Sequence, residues 1–317
     1  MTTLPWPAGQ TPYVTPDQLL GNTWPTGVQW STMPPQPAPA TSAQETNVIA
    51  MLCAAATQKA ENIVNQVLRA TSSTEELEGP DFRVTYEQYT GNGRVICSRW
   101  PILSVSAVST SPNAVWPRQW TALPAGNFEP EFPVQALYGT SAPSGAGGGA
   151  QSVLFAPGYM NNLLGRKGWR VKVTYIAGWP HTCLTANALA GATTIDVDDC
   201  TGWGPASTGG QGAAGVVYDP LAGGQEGVTC KTASVTSGPG TLTLTTPLAY
   251  SHAAGIMVSA MPAGVIWATA LLAGEAALTR GATATTVQNT TGRPGKAPAN
   301  ALEEQAHDLL QALKRTM

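Results

Sequence analysis

The side chains that could do chemistry in this sequence are three histidines, five cysteines and a few grouped acidic residues. His181, His252 and His307 are widely spaced and fit no H-E-x-x-H pattern, which would place two zinc ligands on one helix face. We therefore expect a structural or surface role for each imidazole. The cysteines lack C-x-x-C spacing and are predicted to be buried free thiols, although a Cys200–Cys230 disulfide is an open alternative.

Three aspartates, Asp196, Asp198 and Asp199, offer the oxygen ligands that hard cations prefer, but they lack the loop spacing of a calcium hand. Strand alternation predicts that Asp196 and Asp198 share one face. The sequence has no G-x-S-x-G nucleophile elbow, and its glycine-rich segment 144–149 lacks the Gly-Lys-Ser/Thr of a phosphate-binding loop. We therefore predict no catalytic, cofactor-binding or metal-binding residues and expect that the protein is not an enzyme.

The composition favours a folded chain that does not hold nucleic acid. Charged residues make up 11% of the 317 residues and apolar residues 43%, which is enough for a core. The net charge of −3 argues against stable duplex binding, because such binding depends on neutralising phosphates. We find neither a long apolar run nor a signal-peptide pattern, and so expect no membrane contact and synthesis in the cytoplasm.

Residues 1–41 are predicted to form an extended arm. Nine prolines in the first 40 positions remove backbone donors too often for a helix or a central strand. Trp6, Tyr13, Trp24 and Trp30 lie on this arm, and large aromatic side chains on an extended segment must pack against something. They are candidate partner-binding residues for a neighbouring subunit; the alternative is packing on the chain's own body.

The next part, residues 42–182, is predicted to combine one helix with β-strands. Ser42 and Glu45 form a capping box, and apolar residues at three-and-four spacing predict a helix to about Ala70. An alternating pattern then predicts a hairpin and two strands, over 82–97, 101–108 and 169–176. The stretch of about 110–150, rich in proline and glycine, is predicted to be a loop.

Residues 183–260 are predicted to form a small inserted all-β domain, because short strand candidates alternate with glycine-rich turns. Helical spacing resumes at Pro262 and stops before Gly281, so 261–281 is a second helical part of the core. Residues 282–317 hold a polar linker and a last helix, which docks on a partner or packs on its own domain. Its apolar stripe contains four candidate partner-binding residues, Leu302, Leu309, Leu310 and Leu313.

Four motifs, taken in this order, resemble the head-to-tail adaptor proteins of tailed bacteriophages. They are the helix over 42–70, P-I-L-S-V-S-A-V at 101–108, V-K-V-T-Y-I-A-G-W-P at 171–180, and M-P-A-G-V-I-W-A-T-A-L-L at 261–272 followed by T-R-G. The stretch 183–260 separates the last two motifs and itself looks like a β module of some adaptors and other phage virion proteins.

The resemblance implies an α+β subunit with a helical adaptor core, β-hairpins and the inserted β domain. Copies would form a homo-oligomeric, dodecameric ring in the neck of the virion, between the portal protein and the stopper or tail-terminator protein. Genomic DNA would pass through the lumen of the ring. An alternative of another class is a carbohydrate- or cell-surface-binding β protein, in which an exposed Trp203 carries the affinity.

Overall fold

The computed structural model describes residues 6, 9–21, 24, 26, 28, 30, 42–78, 81, 83–86, 93–111, 117–131, 152–155, 170–204, 212–220, 224–279, 298–311 and 313. The chain divides into two compact units. Residues 67–179 and 205–212 form one, which we call the two-sheet unit. Residues 1–66, 180–204 and 213–317 form the other, the helix–barrel unit.

The two-sheet unit contains eight strands: β1 (Thr71–Glu78), β2 (Val84–Tyr86), β3 (Gly93–Ile96), β4 (Ile102–Ser111), β5 (Thr121–Ala122), β6 (Phe128–Glu131), β7 (Ser152–Phe155) and β8 (Arg170–Ala177). They form two antiparallel sheets, in the orders β1-β8-β4-β5 and β2-β3-β7-β6. Alternate residues of the strands point to one face and build a common core that includes Val95, Val108, Val153 and Val173.

The predicted hairpin over 82–97 is confirmed as the β2–β3 pair, while its turn lies outside the described residues. The predicted strands over 101–108 and 169–176 are confirmed as β4 and β8. The first helix ends at Val64 and not at about Ala70. No strand was predicted where β1 lies, and β5 and β6 lie inside the predicted loop. The glycine-rich segment 144–149 lies outside the described residues.

The helix–barrel unit contains four helices, α1 (Pro16–Leu20), α2 (Ser42–Val64), α3 (Ala263–Thr279) and α4 (Pro298–Gln311). Its six strands are β9 (His181–Cys183), β10 (Thr194–Val197), β11 (Ala214–Asp219), β12 (Gly224–Ala233), β13 (Gly240–Leu244) and β14 (Met257–Ser259). They form one antiparallel sheet in the order β10-β13-β12-β11-β14-β9. An antiparallel bridge between Leu184 and Val197 joins the two edges, so the sheet curls into a small barrel around its own apolar core.

The strands predicted within 183–260 are confirmed as β10 to β13, and the barrel also takes in β9 and β14, which the alternation did not predict. The arm contains α1, although its proline content argued against a helix. Pro16 is the first residue of that helix, where a missing N–H costs no hydrogen bond. Among the helices of the described ranges, none is both long and apolar enough to cross a membrane.

The expected fold class, an α+β protein with a helical adaptor core, is wrong. In the described part of the chain, fourteen strands accompany four helices, and the strands form three antiparallel sheets. The error lies mainly in residues 71–177, where two full sheets with their own core replace the hairpins expected beside a helical core. The helices α2, α3 and α4 pack on one another within the helix–barrel unit.

Candidate functional site

Two surfaces of the helix–barrel unit hold the segments that carry the predicted partner-binding residues. The arm seat, formed by Thr57, Glu61, His181, Asp198 and Ser259, holds the first part of the arm. The helix seat, formed by the faces of α2 and α3 that α4 covers, holds the last helix.

Asp198 is the polar centre of the arm seat. It lies just after β10 and is 2% exposed. Its carboxylate accepts hydrogen bonds from Thr11 Oγ1 at 2.7 Å, Thr182 Oγ1 at 2.5 Å, the Cys183 amide at 3.0 Å and the Gly9 amide at 3.4 Å. A buried carboxylate is stable only when such donors replace its water. Asp198 therefore ties the arm to the barrel.

The predicted placement of Asp196 and Asp198 on one face is wrong. Asp196 is exposed and accepts a hydrogen bond from Thr241 Oγ1 at 2.8 Å on the neighbouring strand. Because β10 ends at Val197, the chain turns and Asp198 points inward. Within the described ranges, no group of three or more histidine, cysteine or acidic residues is arranged to hold a metal ion.

His181 holds the arm from the barrel side. Its Nε2 donates to the Pro12 carbonyl at 3.0 Å, which leaves Nδ1 to accept from Ser259 Oγ at 2.9 Å. Ser259 Oγ also accepts a hydrogen bond from the Met261 amide at 3.1 Å. A serine hydroxyl that donates to a histidine is the pairing of a nucleophile and its general base in some enzymes. Here, however, the side chain of Ser259 is buried, since the residue is 1% exposed. The arrangement holds the arm, which fits the structural alternative for this imidazole; its role stays a prediction.

Tyr13 is the arm aromatic most firmly held in the arm seat. Its amide donates to Thr57 Oγ1 at 3.0 Å and its hydroxyl donates to Glu61, both on α2. Its ring meets that of His181 edge to face, with centroids 5.4 Å apart. Tyr13 is thus completely buried against its own unit.

The other arm aromatics also pack within the helix–barrel unit. Trp30 is buried, whereas Trp6 and Trp24 are half-buried. The Trp24 ring lies 5.7 Å from that of Tyr218 on β11. These positions favour packing on the chain's own body for the described arm residues, and binding of a neighbouring subunit stays a prediction.

The helix seat buries only part of the predicted stripe of α4. Leu310 is fully buried, while Leu302, Leu309 and Leu313 are half-buried. The seat itself is very apolar, because α3 is buried on nearly all sides from Val265 to Gly274. A partner role for these leucines is likewise untested and stays a prediction.

A lysine on α2 provides the polar contacts of the helix seat. Lys59 Nζ lies 3.1 Å from Glu275 Oε2 on α3 and 2.8 Å from Glu303 Oε1 on α4. The hydrogen bond from Lys59 lowers the pKa of Glu303 below its ordinary value. The side chains of Lys59 and Glu303 are 36% and 38% exposed, so water screens this pair.

A glycine on α3 is the point where arm and last helix meet. A Cβ atom at Gly274 would lie 3.2 Å from Leu302 Cδ1 on α4, 3.2 Å from Val28 Cγ2 and 3.3 Å from Thr26 Cβ on the arm. The absence of a side chain therefore allows both segments to approach α3 closely.

Sequence reasoning missed a buried polar cluster around His252. Its Nδ1 lies 2.9 Å from Asp219 Oδ2, and its Nε2 lies 3.6 Å from Glu226 Oε2. Glu226 also accepts the Ala249 amide at 2.9 Å and the Tyr250 amide at 3.0 Å. The cluster fixes the turn after β13 to the barrel. His252 is buried in it, and the structural or surface role expected for this imidazole stays a prediction. The third histidine, His307 on α4, is exposed.

The cysteines and Trp203 are all interior residues. The five cysteines are free and buried, which confirms the free-thiol prediction, and burial raises the pKa of the Cys183 thiol to about 12. The expected exposure of Trp203 is wrong, since it is 1% exposed in the barrel core. Gly215 makes room for it: a Cβ there would lie 2.7 Å from Trp203 Cη2.

No family model, curated protein or solved structure matches this chain in the comparisons with known proteins.

Proposed function

We propose that this chain is a structural virion protein, a subunit of a homo-oligomeric ring in the neck of a tailed bacteriophage. The ring lies between the portal protein and the stopper or tail-terminator protein, and the genome passes through its lumen. The proposal comes from the order of the four motifs that resemble head-to-tail adaptors.

The observation that best supports the proposal is that the four motifs meet in pairs. The two helical motifs, α2 and α3, pack on each other and are joined by the ion pair between Lys59 and Glu275. The two strand motifs, β4 and β8, are neighbours in one sheet and pair from Ile102 opposite Ala177 to Ser111 opposite Arg170. Motifs that lie far apart in the sequence therefore come together as one helix pair, α2 with α3, and one strand pair, β4 with β8.

The charge of the chain fits a ring through which DNA moves. A net charge of −3 offers few cations to phosphates, so DNA in the lumen would not be held by counterion release.

The test is density-gradient fractionation of lysed infected cells, with quantitative mass spectrometry of each fraction. We expect the chain in the fraction of full virions, in a constant ratio to the portal protein, which serves as the internal standard. Absence of the chain from virions that contain the portal protein would contradict the proposal.

A further inference from the structure

We propose that α4 docks on the helix seat of a neighbouring copy of this chain, so that exchanged helices link the subunits. The occupant of the seat in the oligomer is the α4 of a second copy, with the contacts that α4 makes in this structure. The inference rests on the homo-oligomer of the proposed function and adds which segment joins the copies.

The length of the connection between α3 and α4 supports exchange. Gly274 lies five residues before the end of α3, and Leu302, its neighbour across the seat, lies four residues after the start of α4. The joined ends therefore lie within about 8 Å of this contact along each helix. Connections between packed helices commonly take about 2 to 8 residues. Here 18 residues, 280–297, separate the helices, and they can span on the order of 60 Å.

The chemistry of the seat supports the same conclusion. α3 presents an apolar face that some helix must cover in every copy, because apolar surface of that extent favours burial. The polar contacts between the Lys59 ammonium and the Glu303 carboxylate are half exposed, and such pairs cost little to break and remake. Exchange therefore preserves the burial and every contact. When each copy passes its α4 to the next, the contacts are head-to-tail, and such contacts can close into a ring.

The test uses two full-length chains, one tagged and carrying Lys59→Cys, the other carrying Glu303→Cys. The chains are co-expressed, purified, treated with a short thiol-specific cross-linker and separated on a denaturing gel. The native cysteines are all buried, so the reagent reacts with the introduced thiols. Because Lys59 Nζ and Glu303 Oε1 are 2.8 Å apart, only chains that share a seat bring these positions together.

We expect a product with the summed mass of the two chains. Its yield should exceed by about tenfold the yield with Glu304→Cys in place of Glu303→Cys, because adjacent positions of a helix point about 100° apart and Glu303 is the one that meets Lys59 in the seat. Glu304 is the matched control, since it is exposed and adjacent on the same helix. Light scattering on the same samples gives the oligomeric state.

The remaining outcomes separate the two proposals. A third chain carries both Lys59→Cys and Glu303→Cys and reports on α4 seated in its own chain. An oligomer in which only this double variant cross-links, and only within one chain, would overturn exchange and leave the ring intact. A monomer throughout would overturn exchange and also the homo-oligomer of the proposed function. Failure of every pairing to cross-link would mean that α4 leaves the seat, which also overturns exchange.

Discussion

The arm seat and the helix seat hold segments from the two ends of the chain on one unit, but different interactions hold them. In the arm seat, Asp198 and His181 are buried and use their polar atoms on arm residues. In the helix seat, α4 contributes one fully buried leucine, Leu310, and a half-exposed ion pair to Lys59. Removing the arm would leave buried donors and acceptors without partners, whereas removing α4 would expose apolar surface and return an ion pair to water, but would strand no buried polar group.

This difference indicates which terminal segment can change partners. A segment whose release strands a buried carboxylate is in effect part of the core. A segment held by apolar contacts and screened charges strands no buried polar group when it is released, and the apolar surface that its release exposes is covered again by the α4 of a second copy. The arm is therefore a fixed part of the subunit and α4 is the exchangeable part.

The largest predicted effect is at the arm seat. Asp198→Ala should lower the free energy of unfolding by about 3 kcal/mol, because it leaves three buried donors and the partly buried Gly9 amide without an acceptor. Urea denaturation measures the loss. Asp196→Ala is the matched control: this side chain is exposed and accepts one hydrogen bond, so the loss should stay below about 0.5 kcal/mol. Equal losses in the two variants would show that the arm seat does not depend on the buried carboxylate of Asp198, and the difference that we draw between the two seats would no longer hold.

The second prediction concerns Gly274, where the arm and α4 both contact α3, and asks which of these two segments is displaced by a larger side chain. Gly274→Leu overfills α3 beneath both segments and should cost about 2 kcal/mol. We expect α4 to be released while the arm stays in place, so that deuterium uptake rises over residues 298–311 and not over the arm peptide that contains Thr26 and Val28. Gly264→Leu is the control, since a Cβ at that position of the same helix has no neighbour within 4 Å. Greater uptake in the arm than in α4 would reverse our ranking of the seats.

The sequence predicted those elements whose pattern is local. The strands β4, β8 and β10 to β13 alternate apolar and polar residues, and α2 and α3 have helical spacing and recognisable boundaries. β1 was missed because its sequence, T-S-S-T-E-E-L-E, has one core residue, Leu77. Its strand conformation comes from pairing with β8 along its whole length, a contact about a hundred positions away that no local pattern carries.

The candidate sites were harder to predict for the same reason. The aromatic residues of the arm indicated that it docks, but the residues that receive Thr11 and Pro12 are Asp198 and His181, more than 160 positions along the chain. The aspartate group lacked the spacing of a cation site, and the donors that occupy Asp198 became evident only in three dimensions. For Asp198, the informative signal was a charged residue at the end of a buried strand, a position that requires partners.

The smallest predicted effect is a pH dependence confined to the helix seat. The hydrogen bond and charge of Lys59 lower the pKa of Glu303 from its ordinary value of 4.5. A carboxyl whose pKa is lower in the docked state stabilises docking above that ordinary value and loses the contribution as the pH falls through the lowered pKa. A fluorophore on Glu304→Cys should therefore show falling anisotropy as α4 loosens at acidic pH. The pair contributes about 0.5 kcal/mol, so the change should be partial. In a Lys59→Met background the part of the pKa lowering that Lys59 causes is absent, and the anisotropy change over the same pH range should shrink. An unchanged pH response in that background would show that another acidic group controls the seat.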